Sequence, residues 1–242
     1  MATQAASHAP TNEHGATASR RAFHHDLDAI ADQVRDMGAL TCVALERALQ
    51  AFAEQDLALC DAVIAGDDVV DERFLSIQRE VLRLISRQAP VASDARLLTA
   101  AMHIALHLER IGDIAVSVAE LTRLAAGLPR DPLVLGDLRA MGTTSLAMAA
   151  TAVRAFVDRD GDACLRLALT DDRVDELRRA VLQRVLAIQT PTERRRWGVY
   201  MDEVARQLER AGDHAVDIAE QVWFLVTGEL REFTSPARVR GE

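Results

Sequence analysis

Leu108 to Glu120 reads LERIGDIAVSVAE, an apolar stretch that nonetheless carries Glu109, Asp113 and Glu120. Gly112 sits where a helix prefers almost any other residue. Leu208 to Glu220 reads LERAGDHAVDIAE, and at a shift of 100 residues Glu, Arg, Gly, Asp, Ala, Val, Ala and Glu recur in the same order. The chain therefore carries an internal repeat, and a fold assigned to one half must serve the other.

The repeat reaches further back. AFAEQD, Ala51 to Asp56, returns as AFVDRD, Ala155 to Asp160, at a shift of 104 residues. Cys60/Cys164, Asp67/Asp171, Asp71/Asp175 and Glu72/Glu176 share that shift. Arg96/Arg196 and Glu109/Glu209 follow at 100. About one helical turn is thus missing between the second and third helices of the second half.

The apolar spacing is helical almost throughout. Leu27, Ile30, Val34, Met37, Thr41, Ala44, Leu45, Ala48 and Leu49 give a first helix from Phe23 to about Ala53. Asp56 caps a second that runs to about Gln88, with Gly66 inside it costing about 1 kcal/mol against Ala and marking a bend. Pro90 breaks the chain, Ser93 caps, and a third helix covers about Asp94 to Ala126. GLPRDP, Gly127 to Pro132, is the linker. Few Gly or Pro interrupt the remainder, and no alternating Val/Ile/Thr run suggests strands. The expectation is an all-α chain of two tandem, pseudo-symmetric three-helix bundles with six long helices, over residues 23–127 and 132–229. Residues 1–22 and 230–242 read as flexible tails.

With 49% hydrophobic residues, disorder throughout is excluded. A net charge of −9 argues against a nucleic-acid partner, because phosphates demand a basic field. The three cysteines have no CxxC spacing, so a reducing cytoplasm fits and Cys60 and Cys164 read as small buried apolar residues. No apolar run reaches the roughly 18–20 residues a bilayer span needs, and the N-terminus lacks a signal peptide's apolar region.

At 100° per residue, Glu109, Asp113 and Glu120 fall within about 40° of one another, as do Glu209, Asp213 and Glu220, joined by Asp217. Their neighbours are small: Ala105, Gly112, Val116 and Ala119, then Ala205, Gly212, Val216 and Ala219. Each half adds an i, i+4 pair, Asp67 with Asp71 and Asp171 with Asp175. Two close carboxylates repel by about 1 kcal/mol in water and about 4 kcal/mol at intermediate dielectric. Such clusters need protons, arginines or metal ions. The bland reading is a solvated acidic face with Glu109 and Glu209 paired to arginine. The sharper one is a duplicated metal site, with Glu120, Glu220 and Ser117 as additional ligands. All donors are oxygens, which favours Mg²⁺, Mn²⁺ or iron over zinc.

His103 and His107 read as helix-surface residues pointing away from Glu109 and Asp113. There is no Glu-x-x-His, no Gly-rich phosphate loop and no nucleophile with a convincing base, so no catalytic residue is assigned. Arg194 to Arg196 open the last helix against its dipole.

At the doubled ERxGDxA motif, and at VIAGDDVVD (Val63 to Asp71), RQAPVASDAR (Arg87 to Arg96) and QVWFLVTGE (Gln221 to Glu229), the sequence resembles the PhoU family. The resemblance covers roughly Phe23 to Gly228. It implies paired three-helix bundles whose E/D-x-x-x-D motifs hold metal: Asp67 with Asp71, Glu109 with Asp113, Asp171 with Asp175, and Glu209 with Asp213. It also implies a non-enzymatic negative regulator of phosphate uptake and of the phosphate-starvation response. Such a regulator acts between the ATPase subunit of a phosphate ABC transporter and a sensor histidine kinase. It forms a homodimer and meets the membrane only through its partners. Arg96 and Arg196 are candidate partner or anion contacts. Ser117, facing Asp217 across the repeat, departs from the pattern and makes the first cluster the poorer ligand set. Two other functions stand beside this one: a metal-dependent phosphohydrolase, and an accessory protein of a low-affinity phosphate transporter.

Overall fold

A computed structural model describes residues 13–87, 90–188 and 192–233. These residues form seven helices and no strand: α1 (Glu13–Glu54), α2 (Leu57–Ala65), α3 (Asp68–Arg87), α4 (Ala92–Leu124), α5 (Pro132–Asp158), α6 (Gly161–Leu186) and α7 (Thr192–Thr227). α1, α2/α3 and α4 make the first bundle, and α5, α6 and α7 the second.

The repeat is visible in the backbone itself. α1 ends where Gln55 takes a left-handed conformation (φ 57°), and α5 ends in the same way at Arg159 (φ 55°). In each case the next residue caps the following helix. Asp56 accepts from the Leu59 amide at 3.0 Å, and Asp160 accepts from the Ala163 amide at 2.9 Å. The α1–α5 contact is reciprocal as well. A Cβ on Gly38 would come within 2.7 Å of the Val153 methyls, and one on Gly142 would collide with Leu49. Gly38 corresponds to Gly142 and Leu49 to Val153 in the repeat, so each bundle inserts one side chain into the other's glycine notch.

α4 and α7 form the centre. α4 packs on α1 and α7, and α7 on α5 and α6. Their buried faces are rich in small residues, Ala101, Ala105, Gly112, Ala115 and Ala119 on α4, and Ala205, Ala211, Gly212, Ala215 and Ala219 on α7. Small faces let the two motif helices approach closely.

Four expectations need correction. α1 begins at Glu13, upstream of Phe23, because a helix already nucleated propagates readily through the Ala- and Arg-containing stretch before it. Residues 1–12 of the expected tail lie outside the described residues. The single second helix is two: the chain breaks at Gly66, whose amide is shared between the carbonyls of Ala62 and Val63, and Asp68 and Asp71 open α3 at its positive dipole end. In the second half Thr170 stands at the Gly66 position and α6 runs through unbroken. α4 starts two residues earlier than a Ser93 cap allows, with Val91 at its N-cap and Ser93 bonded sideways to Asp94. Finally, α5 is the one helix among the described residues long and apolar enough to cross a membrane, with 44% of its most apolar window buried in the bundle.

Candidate metal centres

Asp67 precedes α3 and Asp71 lies in its first turn, while Glu109 and Asp113 sit one turn apart on α4. Gly112 permits the approach: a Cβ there would lie 3.2 Å from Val70 Cγ1 and 3.8 Å from Asp67 Oδ1. Burial, then the charges of Asp71, Asp113 and Asp68, raises the Asp67 carboxyl above the ordinary range. Burial and Asp113 raise Glu109 too, with Arg110 opposing and Asp71 and Asp67 adding to the rise. The four predicted carboxylates of the first half therefore form one electrostatic group. Glu109 Oε2 is buried and accepts no hydrogen bond; its nearest cation is the half-exposed Arg110, with Nε 3.3 Å away. Arg110 also reaches Asp113 at 3.2 Å. Beside Asp67 a mostly apolar cleft of about 200 Å³ opens between α1, α2, the start of α3 and α4.

In the second half Asp171 is 5% exposed, and a Cβ on Gly212 would lie 3.1 Å from its Oδ1. Asp171, Asp213, Asp217 and Glu220 line an acidic cleft of about 320 Å³, together with Glu232 and Phe233. Those last two residues come from the segment after α7, which was expected to be flexible. Its placement has local causes: the Phe233 amide donates to Glu220 Oε1 at 2.6 Å, and Phe233 packs edge-on to Trp223. The Arg231 guanidinium lies over both rings. Burial keeps Glu220 above the usual carboxylate range despite that bond. Residues 234–242 of the expected tail lie outside the described residues.

Asp175 and Glu209 are not among the residues lining this cleft. Glu209 is met by Arg178 of α6, Nε to Oε2 3.6 Å, and the same guanidinium holds Asp202 at 2.8 Å. The arginine pairing of the bland reading is thus present in both halves, from Arg110 at Glu109 and from Arg178 at Glu209. In the first half Phe74 occupies the corresponding position and packs on the core. Among the additional candidates Glu120 is exposed and Ser117 is half-buried. Arg96 and Arg196 each lie about 20 Å along their helices from Glu109 and Glu209, outside both clusters. Arg196 bonds and stacks on Tyr200, while Arg96 is half-buried, its Nε buried without a hydrogen-bond partner.

One grouping was not anticipated. His107, expected on the helix surface, is partly buried against α7, where its Nδ1 lies 3.3 Å from His214 Nδ1 and 3.3 Å from Asp217 Oδ2. His214 Nδ1 is also 3.3 Å from Asp217 Oδ2. Burial holds His107 below the usual histidine range, although Asp217 opposes it. Among the described residues this is the one set that brings three metal-ligating atoms within 4.8 Å of one another; the carboxylate sets are more open. A signal for it existed. All three residues sit where the two copies of the repeat differ, facing Gln207, Ile114 and Ser117. Cys60 and Cys164 are fully buried and burial pushes both thiols up, as small apolar residues should behave.

Comparison with known proteins matches the PhoU domain twice, over residues 34–122 and 138–222. The phosphate-specific transport system accessory protein PhoU homolog 1 of Mycobacterium tuberculosis is 31% identical over 214 residues, covering 87% of this chain and 96% of that protein. The corresponding homolog of Zymomonas mobilis is 31% identical over 224 residues, covering 92% of each. The crystal structure of PhoU from Pseudomonas aeruginosa superposes with a TM-score of 0.80 at 30% identity, covering 86% of this chain and 100% of that one.

Proposed function

The chain belongs to the PhoU family, and from that premise we propose that it is a cytoplasmic accessory protein of a phosphate-specific transport system. In this reading it restrains phosphate uptake and the phosphate-starvation response. It does so as a homodimeric adaptor between the transporter's ATPase subunit and a sensor histidine kinase, by binding rather than by turnover. Its relatives' names carry the transport-accessory role. The observation that carries the mechanism is the duplication of an acidic site on a rigid helical frame.

The donor set fits metal ions. Asp67 and Glu109 are held above their ordinary range by burial and by like charge. Glu109 Oε2 is buried without a hydrogen bond, and Gly212 leaves room for nothing larger beside Asp171. A cation relieves the repulsion that protons would otherwise have to relieve. Asp67, Asp71, Glu109 and Asp113 would hold ions in the first half, and Asp171, Asp213, Asp217 and Glu220 in the second. Oxygen donors suit Mg²⁺, Mn²⁺ or iron. Bound ions would fix the α3–α4 and α6–α7 contacts and so the surface the partners read.

Crosslinking and capture from phosphate-replete cells test the reading. The expected catch is the transporter ATPase subunit or the sensor kinase, and deletion of the chain should raise starvation-gene expression in high phosphate. Unchanged expression and uptake in the deletion strain, with neither partner captured, contradict it.

A further inference from the structure

We infer that His107, His214 and Asp217 form a tetrahedral site for one zinc-type divalent ion, tying the two bundles together across α4 and α7. The three ligand atoms make a triangle with all edges 3.3 Å. A tetrahedral ion with metal–nitrogen bonds of about 2.0–2.1 Å spaces its ligand atoms about 3.3–3.4 Å apart. An octahedral ion at about 2.0–2.1 Å spaces them about 2.9–3.0 Å apart. The triangle is therefore one face of the coordination shell zinc prefers, and two imidazoles with one carboxylate are donors zinc accepts.

The metal-free alternative accounts for less of the geometry. Without a metal, two imidazoles and a carboxylate meet here through one nitrogen each and one oxygen. With both Nδ1 atoms protonated each can donate to Asp217 Oδ2, and the His107–His214 contact alone is left without a hydrogen bond. A cation at the apex turns all three contacts favourable at once. An ion on Nδ1 puts the His214 proton on Nε2, a buried donor with no hydrogen-bond partner among the described residues. Asp217 is 42% exposed, so the fourth position faces solvent and takes a water.

Among the described residues the site occurs once. His107 comes from the first bundle, and His214 and Asp217 from one face of α7 at i, i+3. The pseudo-twofold counterpart has Gln207, Ile114 and Ser117, which cannot assemble the same donors. Gln207 there donates instead to Glu203 at 2.8 Å. The histidines stand outside both carboxylate sets and only Asp217 is shared, so the inference does not rest on the proposed function.

The test uses the full chain stripped of metal and titrated with Co²⁺ or Zn²⁺. One Co²⁺ per chain, beyond any six-coordinate ions held by the carboxylates, should show the intense visible bands of a four-coordinate ion, displaced by Zn²⁺. X-ray absorption of the Zn²⁺ form should show two imidazoles. Zn²⁺ at a hundredfold excess over Kd should raise Tm by about 5–10 °C. His107→Gln and His214→Ile, which carry over residues from the counterpart face, should each weaken Zn²⁺ binding by at least about tenfold. Both should leave Mn²⁺ binding at the carboxylates unchanged, with helical circular dichroism confirming the fold. Absence of four-coordinate Co²⁺ bands in the unaltered chain, or the same bands kept by both folded variants, overturns the site. Loss of Mn²⁺ binding with the Co²⁺ bands intact would count against the carboxylate clusters alone.

Discussion

The two halves share a frame and differ in how they treat their acids. In the first, Asp67, Asp71, Glu109 and Asp113 face one another with only Arg110, itself half exposed, near Glu109. In the second, Arg178 neutralises Glu209 and Asp202 from within the bundle. There the segment ending at Phe233 folds back over the remaining carboxylates. The elements that position the backbone are kept in both copies: the left-handed corner at Gln55 and Arg159, and the glycine seats at Gly112 and Gly212. The charge-balancing residues were free to diverge. Duplication has thus yielded one open acidic site and one covered site rather than two equal ones.

Replacing Arg178 by its first-half counterpart, Arg178→Phe, should break this comparison most severely. It takes the Arg178 guanidinium away from Asp202 and Glu209, and chemical denaturation should register a loss of about 2–3 kcal/mol in the metal-free protein. Part of that loss should return on adding Mn²⁺, because Glu209 is then available to an ion.

The glycine seats give the next effect. Gly212→Ala pushes a methyl to 3.1 Å from the buried Asp171 carboxylate, whereas Gly112→Ala presses on a Val70 methyl at 3.2 Å. The helix-propensity gain of about 1 kcal/mol is common to both. The metal-free Gly212→Ala protein should therefore be about 1 kcal/mol less stable than Gly112→Ala in parallel melts. It should also lose metal at the second site only.

A smaller effect comes from pH. Asp67 and Glu109 have folded-state affinities for protons above their unfolded values. Between those values the folded state holds more protons, so metal-free stability falls as pH rises through that window and is highest below it. Asp67→Asn should flatten this slope and slightly stabilise the metal-free chain at neutral pH, as thermal melts against pH will show. The smallest effect should follow from ending the chain after Glu229. That change should speed metal exchange at the second site and leave the first unaltered.

Much of this was legible from the repeat. The bundles, the motif helices and the carboxylate pairs follow from matching one half to the other, because helical period and motif spacing are local properties. What escaped depends on contacts between distant segments. Two smaller departures are local: the bend read at Gly66 is a full break, and α4 is capped at Val91 rather than Ser93. Arg178 finds Glu209 from another helix, and Phe233 finds Glu220 only because α7 ends beside the cleft. His107 looked like a surface histidine on its own helix, and became half of a pair only once α4 lay on α7. Ser117 facing Asp217 read as a weakness of the first cluster. The structure adds that Asp217 turns one oxygen toward two histidines.

Elemental analysis of the freshly purified chain, run beside Asp113→Ala and Asp213→Ala, tests the central claim most directly. Divalent or trivalent metal is expected in the unaltered protein, with each substitution removing the share of its own half. Metal-free protein whose melting temperature does not move on adding Mn²⁺ or Mg²⁺ would contradict it.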